Sequence, residues 1–216
     1  MKYELIIFDC DGVLVDSEGL SSEVFSEEIS KLGWNISPAE VGKRFKGGKF
    51  ADALAEIEAN ISQPLPTGFE PLLRRRTFEV FQERLQPIPG IKQTLETLSL
   101  PFCVASNGPR SKIELNLGIT ALLSHFEDRI FSAYELKIWK PDPAFYLTVA
   151  QSLGYAKEKC LVIEDSYAGL QSARQAGIDV WVYAAEEVSA NILATEVPLF
   201  EDMAALPEMI ARTKIS

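Results

Sequence analysis

The chain is poor in several residues from which active sites are commonly built. Its 216 residues include a single histidine, His125, which rules out a two-histidine relay or a histidine cluster within them and leaves a structural role as the expectation. Cysteine is equally sparse: Cys10, Cys103 and Cys160 form an odd set with no Cys-x-x-Cys pair. That spacing argues against zinc, and the setting of each in or beside a strand-like run points to reduced, buried thiols in a cytosolic protein. Positive charge is also scarce, with 21 Lys and Arg against 31 Asp and Glu and a formal net charge of -10. A surface of that sign repels nucleic acid and anionic membranes, so neither is expected as a partner, and an anionic ligand would need a local basic pocket. No apolar run approaches the roughly 18 residues of a membrane-spanning helix. The short apolar stretch before Asp9 comes too early for a secretory signal. Internal repeats and low-complexity segments are absent too. The expectation is a soluble, cytoplasmic, monomeric protein.

What is present suits one globular domain with an insertion, or two small domains, since 47% of the residues are hydrophobic and 24% charged. Five strand-like runs, Tyr3–Asp9, Phe102–Asn107, Arg129–Tyr134, Cys160–Asp165 and Val180–Ala184, alternate with helix-like segments. Two of these runs, Cys160-Leu161-Val162-Ile163 and Val180-Trp181-Val182-Tyr183, are almost continuously apolar, as in strands covered on both faces. Helical patterns fall over Ile91–Leu98, Ser111–Leu117, Ala144–Leu153 and Ala168–Ala176, the last three followed by Gly118, Gly154 and Gly177 as expected left-handed exits. The alternation predicts an α/β fold, a doubly wound parallel sheet with helices on both faces. Between Ser17 and Leu85 only helical periodicity is found, with Val24, Ile29 and Leu32 on one face and Leu54, Ile57 and Ile61 on another. This predicts a helical cap over 17–85 inserted after the first strand of a core made of 1–16 and 86–216, with Gln86-Pro87-Ile88-Pro89-Gly90 marking its end. Residues Val197–Ile210 should add a short edge strand and a closing helix.

Four segments carry candidate chemistry. In Ile6-Ile7-Phe8-Asp9-Cys10-Asp11-Gly12 two carboxylates close an apolar strand. Carboxylates are costly to bury, so a hard cation or a reaction using both acids is implied, with an Asp-Gly turn as the competing reading. In Val104-Ala105-Ser106-Asn107-Gly108 a hydroxyl and the N–H groups of a turn suit an anion such as phosphate, against an ordinary strand-to-helix turn. In Trp139-Lys140-Pro141-Asp142-Pro143 a lysine is restrained by nearby prolines, so its ammonium can be held at one point. A solvated loop lysine is the alternative. In Ile163-Glu164-Asp165-Ser166 adjacent carboxylates repel each other unless a cation or protons separate them, while helix capping by Asp165 or Ser166 competes.

Taken in order, Asp-x-Asp-Gly, Ser-Asn-Gly, Lys-Pro-Asp-Pro and Glu-Asp-Ser with Gly169 beyond, these segments resemble the haloacid dehalogenase-like hydrolase superfamily over essentially the whole chain. Each lies at an expected strand end, where open α/β sheets place ligands. The helical insertion and Asp16-Ser17-Glu18 resemble the β-phosphoglucomutase-like subgroup, which includes many sugar-phosphate phosphatases; Val13 stands where many members have Thr, and Val is frequent in that subgroup. The resemblance implies Asp9 as the nucleophile that becomes an aspartyl phosphate and Asp11 as general acid, then base. It implies Mg²⁺ held by Asp9, the backbone carbonyl of Asp11, Asp165, and Glu164 directly or through water, with Ser106, Asn107 and Lys140 on the phosphoryl oxygens. The implied activity is hydrolysis of a small phosphorylated metabolite. A phosphomutase shares every core residue and is the nearest rival, while a non-catalytic metabolite-binding domain is disfavoured because no core position is missing. Dehalogenases of this fold lack the second Asp, and phosphonate-cleaving members depart from this first-site pattern. In the cap, Lys43-Arg44-Phe45-Lys46-Gly47-Gly48-Lys49 gathers cations around a Gly-Gly pair. Lys46, Gly47 and Lys49 are expected to face the substrate, with a solvated helix end as the competing reading. This loop and Ile138-Trp139-Lys140-Pro141 are similar to those of bacterial 6-phosphogluconate phosphatases, which implies a phosphorylated sugar acid as substrate.

Overall fold

A computed structural model describes residues 2–184 and 189–213. Six strands, β1 (Leu5–Phe8), β2 (Phe102–Ser106), β3 (Ile130–Ser132), β4 (Cys160–Glu164), β5 (Asp179–Tyr183) and β6 (Leu199–Phe200), form one sheet in the order β3-β2-β1-β4-β5-β6. All neighbours run parallel. The helices are α1 (Glu18–Lys31), α2 (Pro38–Phe45), α3 (Phe50–Asn60) and α4 (Phe69–Arg84) between β1 and β2, preceding α5 (Ile91–Thr97). After β2 come α6 (Arg110–Ile119), α7 (Ala133–Leu136), α8 (Ala144–Ser152), α9 (Tyr167–Ala176), α10 (Ala190–Leu193) and α11 (Leu206–Ala211). The strand pleat explains why the central runs are so apolar. Ile6, Phe8, Phe102, Val104, Leu161 and Ile163 pack on one face of the sheet, while Leu5, Ile7, Cys103, Ala105, Cys160 and Val162 pack on the other. Burying one such Leu, Ile, Val or Phe side chain stabilises by about 1.5–3 kcal/mol. All three cysteines are unpaired and buried, as expected. Among the described residues no helix is long and apolar enough to cross a membrane.

Helices α1–α4 gather around a third cluster of their own, with Val24, Ile29, Ile57 and Leu73 buried and Leu32, Leu54 and Ile61 packed against it. Ser37 and Glu40 form a reciprocal capping box at the start of α2, and Pro38 occupies its first turn. One expected exit differs. Helix α6 runs through Gly118 to Ile119, and the left-handed residue beyond it is Ala121, φ 56°. Buried Leu117 and Thr120, whose hydroxyl donates back to Asn116 O at 2.8 Å, hold the helix past the glycine. Gly154 and Gly177 do adopt positive φ, and the expected edge strand and closing helix appear as β6 and α11. The expected strands overran the ladder by a residue or more, so Asp9, Asn107 and Asp165 lie just beyond the ends of β1, β2 and β4. There the chain is free to turn their side chains toward one place.

Candidate active site

Strand β1 lies between β2 and β4, and the chain crosses over in opposite directions on its two sides. That switch point opens a crevice at the carboxyl ends of the strands. A cavity of about 440 Å³ occupies it, floored by Asp9, Asp11, Ser106, Asn107 and Lys140 and roofed by residues of α1, the turn 46–49 and α4. The parallel register sets the floor: Phe8 pairs with both Val104 and Ile163, and Asp9 N–H donates to Ile163 O at 2.9 Å.

One carboxylate oxygen from each of Asp9, Glu164 and Asp165 lies within 4.8 Å of the other two, and all three residues are buried. Lys140 Nζ stands 2.8 Å from Asp9 Oδ1 and 2.6 Å from Glu164 Oε1. Glu164 is fully engaged. Its Oε1 also accepts from Tyr146 OH at 2.6 Å, and its Oε2 accepts from Asp165 N–H, Ser166 N–H and Ser166 Oγ at 3.1, 3.1 and 2.9 Å. Burial raises the Glu164 carboxyl, but Lys140 and these donors outweigh it and hold it below the ordinary range. In contrast, Asp9 Oδ1 and Asp165 Oδ2 are buried with no well-directed hydrogen bond; the nearest cations are Lys140 and, 2.6 Å from Asp165 Oδ2, Lys46. Burial and the Glu164 charge push the Asp9 carboxyl well above the usual range, and burial pushes Asp165 up to about 7 against the pull of Lys46. Three oxygen donors, two of them under-satisfied, fit a hard divalent cation of the Mg²⁺ type, which takes carboxylate oxygens and keeps waters. Glycine is required beside this cluster, because a Cβ on Gly12, φ +75°, would collide with Asp165 Oδ2.

Asp11 has different surroundings. Its Oδ2 lies 2.7 Å from Lys112 Nζ, and its Oδ1 accepts from Ser17 Oγ at 2.7 Å and from Asn116 Nδ2 at 3.2 Å. Burial would raise this carboxyl, but the Lys112 charge and the donors around it overcome that and hold it ionised below the ordinary range. Ser106 Oγ accepts from Gly108 N–H at 3.0 Å and keeps its own proton to donate. Asn107 is turned differently from expectation. Its Nδ2 donates to Gly47 O at 3.1 Å and Lys140 O at 3.3 Å, and its Oδ1 accepts from Lys140 N–H at 2.9 Å. The carboxamide thus ties the turn 46–49 to the Lys140 loop, and its two N–H groups are taken. Gly47 is needed for that approach, since a Cβ there, at φ +69°, would meet Ser166 Cβ at 2.4 Å.

The basic run 43–49 divides at the end of α2. Lys43 and Arg44 are exposed, Arg44 pairing with Glu56 at 2.7 Å, while Lys46 and Lys49 line the cavity. Lys46 faces Asp165, and Lys49 Nζ sits 4.5 Å over the ring of Trp139. Sequence reading missed Lys112 and Asn116, one turn apart on α6, and Tyr146, concealed in the apolar pattern of α8. It also missed Arg74, Tyr134 and Glu18, which line the cavity; burial and the nearby Asp11 charge push Glu18 up to about 7. The spacing of Lys112 and Asn116, just after Ser-Asn-Gly, was the one available signal. His125 sits in a short turn and is not among the cavity-lining residues.

Comparison with known proteins agrees with this geometry. Residues 3–177 match the model of the haloacid dehalogenase-like hydrolase family. The chain is 34% identical over 209 residues to a 6-phosphogluconate phosphatase of Escherichia coli (strain K12), covering 96% of this chain and 95% of that one. It superposes with a TM-score of 0.84 and 30% identity on a conserved haloacid dehalogenase-like protein of unknown function from Agrobacterium tumefaciens str. C58, covering 97% and 98% of the two chains. It also superposes with a TM-score of 0.78 and 27% identity on a HAD family hydrolase from Deinococcus radiodurans R1 with bound phosphate and sodium, covering 97% and 96%. Sheet order, strand-end carboxylates and full-length likeness agree, and the chain is an enzyme of the haloacid dehalogenase-like hydrolase family.

Proposed function

We propose that the protein is a Mg²⁺-dependent phosphatase acting on a small phosphorylated sugar or sugar acid, such as 6-phosphogluconate, through an aspartyl phosphate on Asp9. The carrying observation is the buried Asp9–Glu164–Asp165 cluster with two under-satisfied oxygens at the floor of a cavity. The full-length relative that is a 6-phosphogluconate phosphatase supports the substrate class. Asp9, Asp165 and the backbone carbonyl of Asp11 would hold the ion; Glu164, whose oxygens are already engaged, would support it through water. When bound, Mg²⁺ supplies positive charge against the phosphoryl oxygens. In the first half-reaction Asp9 attacks phosphorus, the bond from phosphorus to the leaving oxygen breaks, and Asp11 gives that oxygen a proton. In the second, Asp11 takes a proton from water as the water attacks the phosphoaspartate. The ionised Asp11 described above is the form required for the second step. For the first, its carboxyl must turn from Lys112 and carry a proton. Ser106 and Lys140 would steady the phosphoryl oxygens, with Asn107 holding the turn 46–49 in place.

Residues 17–85 serve in this reading as a cap over the core formed by 1–16 and 86–216, presenting Lys46, Gly47 and Lys49 to the substrate. The test is phosphate release from 6-phosphogluconate with Mg²⁺ and in EDTA, beside Asp9→Asn. Release that needs Mg²⁺ and vanishes in Asp9→Asn is expected; normal turnover of Asp9→Asn would exclude the covalent mechanism. Conversion of a hexose 1-phosphate to its 6-phosphate without net release would identify the mutase alternative.

A further inference from the structure

Five cationic side chains line the cavity, and four of them face carboxylates: Lys140 at Asp9 and Glu164, Lys112 at Asp11, Lys46 at Asp165 and Arg74 at Glu70. Lys49 has no carboxylate partner among the described residues and rests on an aromatic face instead. This difference matters chemically. A carboxylate neutralises an ammonium, whereas a ring face orients it and leaves its charge available to a ligand.

Lys49 belongs to a closed set of contacts at the cavity rim. Its support, Trp139, meets the edge of Tyr134 with ring centroids 5.7 Å apart. Tyr134 OH accepts from Arg74 Nη2 at 3.1 Å, and Arg74 Cζ lies 4.0 Å over the ring of Phe50, the residue after Lys49. Arg74 is fixed but not saturated. Its Nε and Nη2 converge on the single oxygen Glu70 Oε1 at 2.9 and 2.8 Å, while Nη1 makes no hydrogen bond among the described residues. Glu70 is 46% exposed, so water screens its charge. Two cations from the helical segment are thus brought to one rim by two aromatic residues of the core, and Trp139 adjoins Lys140 in the chain.

We propose that Arg74 and Lys49 form a second anion subsite, seating a carboxylate or a second phosphate of the substrate apart from the phosphoryl group that is transferred. Trp139 and Tyr134 are its positioning residues. This rests on the phosphatase reading and specifies its substrate class as doubly anionic. Charge-assisted hydrogen bonds of this kind give roughly 10–100-fold in affinity.

The test is equilibrium binding to the Asp9→Asn protein in Mg²⁺, measured by calorimetry for 6-phosphogluconate, fructose 1,6-bisphosphate and glucose 6-phosphate. Arg74→Gln and Lys49→Gln are expected to weaken a doubly anionic ligand about tenfold or more beyond their effect on glucose 6-phosphate. The acid and bisphosphate arms show which anion the subsite takes. Trp139→Leu should erode the same preference and Trp139→Phe should restore part of it, with circular dichroism checking that each variant is folded. Equal weakening of all three ligands, or of none, overturns the proposal. Absence of phosphate release by the wild-type enzyme from any of the three would instead count against the phosphatase reading.

Discussion

Lys140→Met retains most of the stem and removes one ammonium from the buried cluster of Asp9, Glu164 and Asp165. Lys140 is 3% exposed, and it pairs at 2.8 and 2.6 Å with carboxylates whose side chains are 9% and 0% exposed. Removing one member of a buried ion pair costs about 3–5 kcal/mol, because the partner charge stays buried. Here Asp9 is already biased toward its neutral form by burial and by Glu164, so it would take up a proton rather than remain charged. The lower end, about 3 kcal/mol, is therefore expected. In a domain of this size, at about 2–4 °C per kcal/mol, that lowers Tm by roughly 6–12 °C. The assay is thermal unfolding followed by circular dichroism, in EDTA and in excess Mg²⁺. The full loss should appear in EDTA. It should shrink in Mg²⁺, since a divalent ion among Asp9 and Asp165 supplies the missing charge. A loss under about 1 kcal/mol in EDTA would refute the view that Lys140 balances the cluster. A loss identical in both buffers would instead refute cation binding between these carboxylates.

Three further outcomes follow from the geometry. Asp11→Ala should slow turnover by about 10²–10⁴-fold while leaving Mg²⁺ affinity much less affected, because only the Asp11 backbone is assigned to the ion; a parallel fall in both, measured by kinetics and calorimetry, would make the carboxylate a ligand. Lys112→Gln removes the main pull that holds the Asp11 carboxyl low, so that carboxyl titrates at higher pH and, because the first half-reaction needs it protonated, the alkaline limb of kcat/KM should move upward; an unmoved limb would show that Asp11 does not govern it. Gly47→Ala places a side chain at φ +69° and against Ser166, a strain of about 1–2 kcal/mol, so KM should rise as the turn lifts from Asn107 and Tm should fall by roughly 2–8 °C; an unchanged KM would detach this turn from substrate binding.

Legibility followed how local each signal was. Strands β1, β2 and β4 were plain because both of their faces are buried, which forces near-continuous apolar runs. The helical segment was plain because no strand pattern interrupts it. The acids at strand ends were visible because an apolar run ending in carboxylates is conspicuous within a few residues. Their partners were not. Lys112 meets Asp11 across 101 residues, Arg74 meets Tyr134 across 60, and neither pairing leaves a trace in local pattern. Direction was hidden even where identity was correct: Asn107 was identified, but not the turning of its amide onto Gly47 O and Lys140 O.

Asp9 and Asp11 show why this matters for function. Two residues apart on one strand end, they have carboxyls shifted in opposite directions, Asp9 upward and Asp11 downward. The turn that follows β1, with Gly12 at φ 75°, directs one toward Glu164 and Asp165, where burial and like charge dominate. It turns the other toward α6, where Lys112, Asn116 and Ser17 supply donors. Neighbouring carboxylates can take different parts in one reaction when their surroundings separate their proton affinities. That separation is set by which lysine reaches which acid. Lys140 is divided between Asp9 and Glu164, whereas Lys112 faces Asp11 alone. The two acids therefore share one strand end, and the separation of their proton affinities follows from the helices and loops that pack around it.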